Sequence, residues 1–486
     1  MDSLINLPLS EMRNRMAQRK LNSVELVRTY LERIASYEKQ GSSLNAIRCL
    51  NPNILMEAYA YDREECYDGK VRGPLHGIPV LIKDNIDVRG MPTTAGSTAL
   101  RDNFPKEDAP LVSSLKRAGA LILGKANLTQ WANFMTQNMP NGYSAIGGQV
   151  LNPYGPGKFD VGGSSSGSGS AVGAGLAPVA IGTETSGSIL SPSSANSVYG
   201  LKPTLGLISR RGIIPIAPSQ DTAGPMTRSV TDLALMMSVL VDEDPYDKAT
   251  LGLGSVDTDY LAALDKNSLK GIKLGLVKQM VERQTEDRQE LFMMAIRELQ
   301  ELGAEVIEVE LPGLEEMKTW RSNVLQYEFK PALNAYLSNV APYLPVHSLN
   351  ELLAFNSEHA SVELKYGQTV ISESALLSSS LTESQYIEHR LKDLVASREQ
   401  GIDYGLEHFQ TDALVFPGPS AAGIGAKAGY PTLNAPIGYL ANGQPYSLTF
   451  AGTAFSEKKL LAYAYAYEQA FPKRKWPSLQ EAIQIN

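Results

Sequence analysis

A run of glycine and serine at positions 162–175, GGSSSGSGSAVGAG, constrains this chain more than any other segment. The first half has the composition of a flexible linker, but apolar residues enter the second half and a strand-like segment, Pro178–Ile181, follows. Small residues at this density let two backbones, or a backbone and a ligand, come close together. We therefore expect the tract to be buried, with a polar turn at 186–188 after the strand.

The composition is that of an ordinary globular protein, with 43% hydrophobic and 20% charged residues in a chain of 486. A net charge of −8 argues against nucleic acid or an anionic membrane as a partner. Cys49 and Cys66 lie outside any metal-ligand spacing and are expected to be reduced thiols, which favours a cytoplasmic protein. The N-terminal segment has no secretion-signal pattern. We expect no cofactor, no metal, no nucleic acid and no membrane partner.

Helical and strand-like segments alternate along the chain, and this alternation predicts an α/β fold with a largely buried sheet. Ser23 is expected to cap one helix, and Ser229–Asp232 forms a capping-box pattern before another. Residues 312–410 are expected to be mainly helical and to cover one side of the core near the substrate mouth. The remaining predicted helices are 114–120, 286–302 and 457–470, and the predicted strands are 78–82, 121–124, 272–277, 304–311, 413–416 and 447–450.

Several blocks of sequence together resemble the amidase signature family of serine hydrolases. The glycine/serine tract is followed by GTETSGSI at 182–189 and GLKPT at 200–204. The block HGIPVLIKDN lies upstream at 76–85, and QDTAGPM at 220–226 and AGYPTLNAP at 428–436 lie downstream. The resemblance implies a single large domain over 1–486, with a central mixed β-sheet surrounded by α-helices and a signature core at about 70–230. Length alone would also allow two domains.

The resemblance implies a catalytic triad of two serines and a lysine. Ser188 occupies the position of the acyl-forming nucleophile, and Ser164 that of a bridging serine on a cis peptide bond after Gly163. Lys83 occupies the position of the base, which would receive the proton of Ser188 through Ser164. A solvated lysine has a pKa of about 10.4, so Lys83 must be desolvated to act near neutral pH. Its place at the end of an apolar run fits that requirement.

The turn around the nucleophile is expected to supply the oxyanion hole, formed by Thr185, Ser186, Gly187 and Ser188. Ser165 and Gly163 are expected to support the network. The aspartate usual in the family's turn is Glu184 here, and the arginine often found after the isoleucine is Leu190. These departures favour the peptide-amidase branch over the tRNA-amidotransferase branch.

The resemblance implies an amidase that cleaves carboxamide bonds through an acyl-serine intermediate, on C-terminal peptide amides or small aryl and alkyl amides. We expect a monomer or homodimer. One alternative is the glutamine-hydrolysing subunit of a tRNA-dependent amidotransferase, and another is a non-catalytic scaffold of the same fold. Gly163–Gly167 also matches the G-x-S-x-G elbow of α/β-hydrolases, but that elbow follows an apolar strand, whereas residues 152–158 are rich in proline and glycine.

Overall fold

Short apolar segments form the strands of this fold, and longer amphipathic segments form its helices. The computed structural model describes residues 2–480. The strands are β1 Ile47–Leu50, β2 Pro79–Lys83, β3 Leu121–Ala126, β4 Tyr143–Ser144, β5 Gly148–Gln149, β6 Val179–Glu184, β7 Tyr199–Lys202, β8 Thr222–Thr227, β9 Lys273–Val277, β10 Glu305–Val309, β11 Ala413–Pro417, β12 Thr432–Tyr439 and β13 Pro445–Ala451.

The helices fill the connections between these strands. They are α1 Asp2–Ile5, α2 Leu9–Ala17, α3 Ser23–Tyr37, α4 Ile54–Tyr67, α5 Pro110–Arg117, α6 Ser166–Ala174, α7 Leu190–Ala195, α8 Val230–Leu240, α9 Lys278–Val281, α10 Glu286–Glu301, α11 Pro312–Glu316, α12 Val324–Leu337, α13 Leu349–Glu358, α14 Ala360–Glu363, α15 Thr369–Leu376, α16 Ser384–Ser397, α17 Asp403–His408, α18 Ala422–Ala428 and α19 Glu457–Ala470.

The main sheet is mixed. Within residues 2–480 it has 11 strands in the order β1-β3-β2-β6-β8-β7-β12-β13-β11-β9-β10. Strands β3, β2 and β6 run parallel to one another, as do β11, β9 and β10, and the other neighbouring pairs are antiparallel. This single domain with a central mixed sheet surrounded by helices confirms the predicted fold class.

Both faces of the central strands are covered, as their continuous apolar runs predict. Alternate side chains of a strand point to opposite faces of the sheet. On β2, Val80 and Ile82 belong to one apolar core, whereas Leu81 belongs to a second core on the other face. A polar side chain at the end of such a strand, such as Lys83, is therefore carried into the interior.

The glycine/serine tract is largely buried, and residues 166–174 of it form α6, so it is not a linker. All nine residues of α6 are buried. A Cβ atom on Gly167 would lie 2.2 Å from the carbonyl oxygen of Ala46 and 2.4 Å from that of Asn127. Only a residue without a side chain fits there, which is the close backbone approach that the composition predicts.

The region 312–410 is mainly helical, as predicted, and contains α11 to α17. Part of it packs on residues that precede the glycine/serine tract. Phe329, Leu333 and Ile371 share an apolar core with Leu100 and Trp131. This packing joins the helical region to the segments that follow β2 and β3. Its expected position near the substrate mouth stays a prediction.

The predicted cap of α3 is wrong by one residue. Asn22 is the N-cap, and its side chain accepts a hydrogen bond from the Glu25 N–H while Glu25 accepts one from the Asn22 N–H. Ser23 is the first helical residue, and its N–H donates to Asp62, a partner distant in sequence. The cap at Ser229 is confirmed, since its hydroxyl accepts a hydrogen bond from the Asp232 N–H.

The other predicted elements are present, α19 with the predicted ends and the rest with one or both ends shifted. Strand β6 is longer than the predicted segment 178–181, because its partner β8 extends the pairing as far as Glu184 and Thr222. This extension places Thr183 and Glu184 on a buried strand and leaves only 185–188 for the turn.

Candidate active site

Lys83 lies at the carboxyl end of β2 and is fully buried. Its Nζ atom lies 2.8 Å from Ser164 Oγ, 2.8 Å from Thr183 Oγ1 and 3.3 Å from the Thr183 carbonyl oxygen. Within residues 2–480 no carboxylate oxygen lies within 4.0 Å of this amine. Lys83 is thus held by neutral oxygen atoms in the interior.

Burial lowers the pKa of Lys83 to about 7, because removing an ammonium ion from water disfavours its charged form. The carboxylates of Glu184 and Asp221 act in the opposite direction and raise that pKa. A lysine with a pKa near neutrality is partly unprotonated in neutral solution and can accept a proton.

The peptide bond between Gly163 and Ser164 is cis, as the resemblance implies. A Cβ atom on Gly163 would lie 2.4 Å from Asn141 Oδ1 and 2.7 Å from Thr129 Oγ1, so a larger residue before Ser164 would have to displace these two side chains. The carbonyl oxygen of Ser164 accepts a hydrogen bond from the Thr129 N–H at 3.0 Å. These contacts fix the backbone that presents Ser164 to Lys83.

Ser165 joins the tract to β6 and to the turn that carries Ser188. Its hydroxyl donates to the Thr183 carbonyl oxygen at 3.1 Å and accepts from the Thr183 N–H at 3.2 Å. Its own N–H donates to the Ser188 carbonyl oxygen at 3.2 Å. The structure therefore places Lys83 beside Ser164, 81 positions away in sequence, and links Ser165 to the backbone of Ser188.

The turn at 185–188 follows β6 and precedes α7. Gly187 has φ of +88°, a conformation that favours glycine, and Ser188 is buried with 8% of its surface exposed. Ser186 is exposed. The nucleophile candidate is thus nearly enclosed, and the serine two positions earlier faces solvent.

Two carboxylates hold this turn, one at each end. Glu184 Oε2 accepts hydrogen bonds from the Ile189 N–H at 2.6 Å and the Leu190 N–H at 3.0 Å. Asp221 accepts the hydroxyl of Thr185 at 2.5 Å and the N–H groups of residues 216 and 217. Burial raises the pKa of Asp221 to about 6.

Sequence reasoning missed the roles of Thr183, Asn85 and Asp221 in this site. Thr183 Oγ1 contacts Lys83 and also accepts a hydrogen bond from Asn85 Nδ2 at 3.1 Å. All three residues lie within the sequence blocks that carry the resemblance. The sequence signal that could have indicated their roles is their position at or near the ends of strands, close to the triad candidates.

Comparison with known proteins identifies the family. The family model described as Amidase matches residues 25–427. The chain belongs to the amidase family. The match includes every candidate of the triad and of the oxyanion hole.

The amidase fold matches the structure of native peptide amidase from Stenotrophomonas maltophilia with a TM-score of 0.91 and 42% identity, over 97% of this chain and 98% of that one. A probable amidase of Arabidopsis thaliana is 37% identical over 98% of this chain and 92% of its own. A glutamyl-tRNA(Gln) amidotransferase subunit of Thermoanaerobacter pseudethanolicus is 30% identical, over 96% and 97% of the two chains. The similarity to the peptide amidase is greater, as the departures at Glu184 and Leu190 predict.

Proposed function

We propose that this amidase hydrolyses carboxamides through an acyl-Ser188 intermediate. The Ser188 hydroxyl attacks the amide carbon, its proton passes through Ser164 to neutral Lys83, and Lys83 returns a proton to the leaving nitrogen. Water then cleaves the acyl ester by the same proton path. The observation that carries this proposal is the buried Lys83 amine, 2.8 Å from Ser164 Oγ, with its pKa lowered to about 7.

The turn is proposed to stabilise the oxyanion. Glu184 occupies the N–H groups of Ile189 and Leu190, which follow the nucleophile. The donors for a developing negative charge are then the N–H groups of Thr185, Ser186, Gly187 and Ser188. The absence of a Cβ atom at Gly187 leaves that stretch of backbone accessible to a substrate oxygen.

The proposed substrates are C-terminal peptide amides or small aryl and alkyl amides, from which the enzyme releases ammonia or an amine. Similarity to a peptide amidase supports this choice. The alternative, a glutamine-hydrolysing component of an amidotransferase, rests on the 30% identity to a protein of that kind. Hydrolysis of peptide amides by the isolated chain, without glutaminase activity, would favour the first substrate class.

We further propose a cytoplasmic protein that is a monomer or homodimer and needs no cofactor. Cys49 and Cys66 are free thiols, which suits a reducing compartment. The helices of residues 2–480 are all too short or too polar to cross a membrane. Light scattering during size-exclusion chromatography distinguishes the two oligomeric states.

The test replaces Ser188 by alanine, with Ser186→Ala as the matched control in the same turn. Ser188→Ala should lose turnover of a peptide amide and labelling by a fluorophosphonate, while Ser186→Ala keeps label at Ser188. A mass shift at Ser165 instead, with activity lost on replacing a histidine, would support the α/β-hydrolase alternative. No labelling and no turnover in the wild-type protein would favour a non-catalytic scaffold.

A further inference from the structure

A small cavity adjoins the site on the side of Thr183. Its volume, counted as the space that the centre of a water-sized sphere can occupy, is about 10 Å³. This is close to the volume that one water molecule needs. Apolar residues, including Ile213 and Ile214, close part of the wall. The polar lining consists of Asn85, Thr183, Glu184, Thr185, Asp221 and Thr222.

Two buried oxygen atoms in this lining lack a hydrogen-bond partner among residues 2–480. They are Asn85 Oδ1 and Glu184 Oε1. Each side chain is otherwise fixed, because Asn85 donates to Thr183 and the second oxygen of Glu184 accepts two backbone N–H groups. Unpaired buried acceptors are rare, and one water molecule offers two donors.

We propose that this cavity binds one ordered water molecule that donates to Asn85 and Glu184, and that Glu184 and Asp221 act as positioning residues which stabilise the protonated form of Lys83. The inference rests on the proposed role of Lys83 as the base. Neither carboxylate touches the reacting atoms. Both act through the field at Lys83 and through the turn that each of them holds.

The charges around Lys83 fit this role. Thr183 Oγ1 lies 2.8 Å from Lys83 Nζ. Glu184, the next residue on β6, and Asp221, just before β8, line the same cavity as Thr183. Burial lowers the pKa of Lys83, and the charges of Glu184 and Asp221 act against that shift. The adjacent carboxylate of Asp84 instead pairs with Lys125. Glu328, on α12, acts on Asp221 and raises the pKa of Asp221. Without the two carboxylates, Lys83 would be a weaker base.

The proton balance is unchanged by the water molecule. One proton moves from Ser188 to Lys83 as the serine–carbon bond forms, and one proton moves from Lys83 to nitrogen as the carbon–nitrogen bond breaks. In the catalytic cycle of the active, neutral form, Lys83 becomes an ammonium ion between these two steps. Negative charges fixed nearby lower the free energy of the intermediate in which Lys83 is protonated, and they neither accept nor donate a proton.

The pH dependence of kcat/KM tests the two carboxylates. In Glu184→Gln and Asp221→Asn a negative charge is lost, so the pKa of Lys83 falls and the acid limb should move down by about one pH unit. The plateau at alkaline pH should fall about threefold or more, because a less basic amine accepts a proton less readily. A purely structural role would lower the plateau without moving the limb.

Glu457→Gln is the matched control. Glu457 is buried and accepts a backbone N–H from Thr204, but it is not among the charges that act on Lys83. The proposal would be overturned if the acid limb of kcat/KM stayed in place in both Glu184→Gln and Asp221→Asn. It would also be overturned if the limb moved equally in the control. If Glu184→Gln does not fold, Asp221→Asn decides. Absence of fluorophosphonate labelling at Ser188 in the wild-type enzyme would instead reject the proposed function.

A crystal structure of the wild-type enzyme tests the water site. Density for one water molecule within hydrogen-bond distance of Asn85 Oδ1 and Glu184 Oε1 is the expected result. Density in the same place should vanish in Asn85→Leu, which replaces the acceptor with an apolar group of similar shape. A cavity without density in the wild-type enzyme, or these two atoms bound to protein donors, would overturn the water site.

Discussion

Two fully buried lysines lie on neighbouring parallel strands, and their surroundings differ. Lys125, on β3, has its Nζ atom 3.3 Å from Asp84 Oδ1, 2.9 Å from Thr93 Oγ1 and 3.1 Å from the Pro92 carbonyl oxygen. Lys83, on β2, has hydroxyl and carbonyl oxygens around it and no carboxylate in contact within the described chain. The same residue type is therefore placed in an ion pair at one position and among neutral groups at the other.

From this difference we expect that burial alone does not make a lysine a base. Lys125 has a carboxylate in contact, and an ion pair of this kind offsets part of the cost of burial. The carboxylates of Glu184 and Asp221 act on Lys83 only from beyond contact distance, and its pKa settles at about 7. We expect Lys83 to serve catalysis and Lys125 to serve stability.

The largest expected effect is on activity when Lys83 is replaced. Lys83→Met should lower kcat/KM by about 10⁴-fold, because loss of a general base costs up to that factor. The folded state should tolerate the change, since no buried charge loses a partner in contact. Steady-state kinetics and thermal unfolding of the same preparation measure both. Activity within tenfold of the wild-type value would remove Lys83 from the mechanism.

The next effect is on stability when Lys125 is replaced. Lys125→Met leaves the carboxylate of Asp84 buried without its cation, which should lower the free energy of unfolding by about 3–5 kcal/mol. Urea unfolding measures this change. The double variant Lys125→Met with Asp84→Leu should recover most of the loss, because it removes both charges. A single variant as stable as wild type would contradict the ion-pair role.

The sequence predicts those features of the site that depend on neighbouring residues, and it misses those that depend on contacts between distant strands. The buried strand that ends at Lys83 follows from a run of adjacent apolar residues, and the predicted partner Ser164 follows from the motif that carries the resemblance. The contact with Thr183 was not predicted, because it joins residues 100 positions apart across two strands. Strand β6 was also predicted too short, since its last residues are strand only through pairing with β8.

A smaller effect is expected when one threonine beside each lysine is changed. Thr183→Val removes a hydroxyl 2.8 Å from Lys83, and Thr93→Val removes one 2.9 Å from Lys125. The first should lower kcat/KM about tenfold and move its acid limb to lower pH, because a hydrogen bond to the ammonium form is lost. The second should leave the limb in place and cost about 1 kcal/mol of stability. An acid limb at the same pH in Thr183→Val and Thr93→Val would contradict the different roles of the two lysines.

The pH–rate profile of the wild-type enzyme tests the central claim, that neutral Lys83 is the base. The lysine accepts a proton only when unprotonated, so kcat/KM should rise with pH through about 7 and stay high above it. A histidine base gives a rising limb near about 6.5, so the pH of the limb alone does not decide between the two. The profile is therefore repeated with His76, His347, His359, His389 and His408 each replaced by glutamine. The same rising limb is expected in all five variants, and a limb that disappears in one of them would contradict the role of Lys83 as the base.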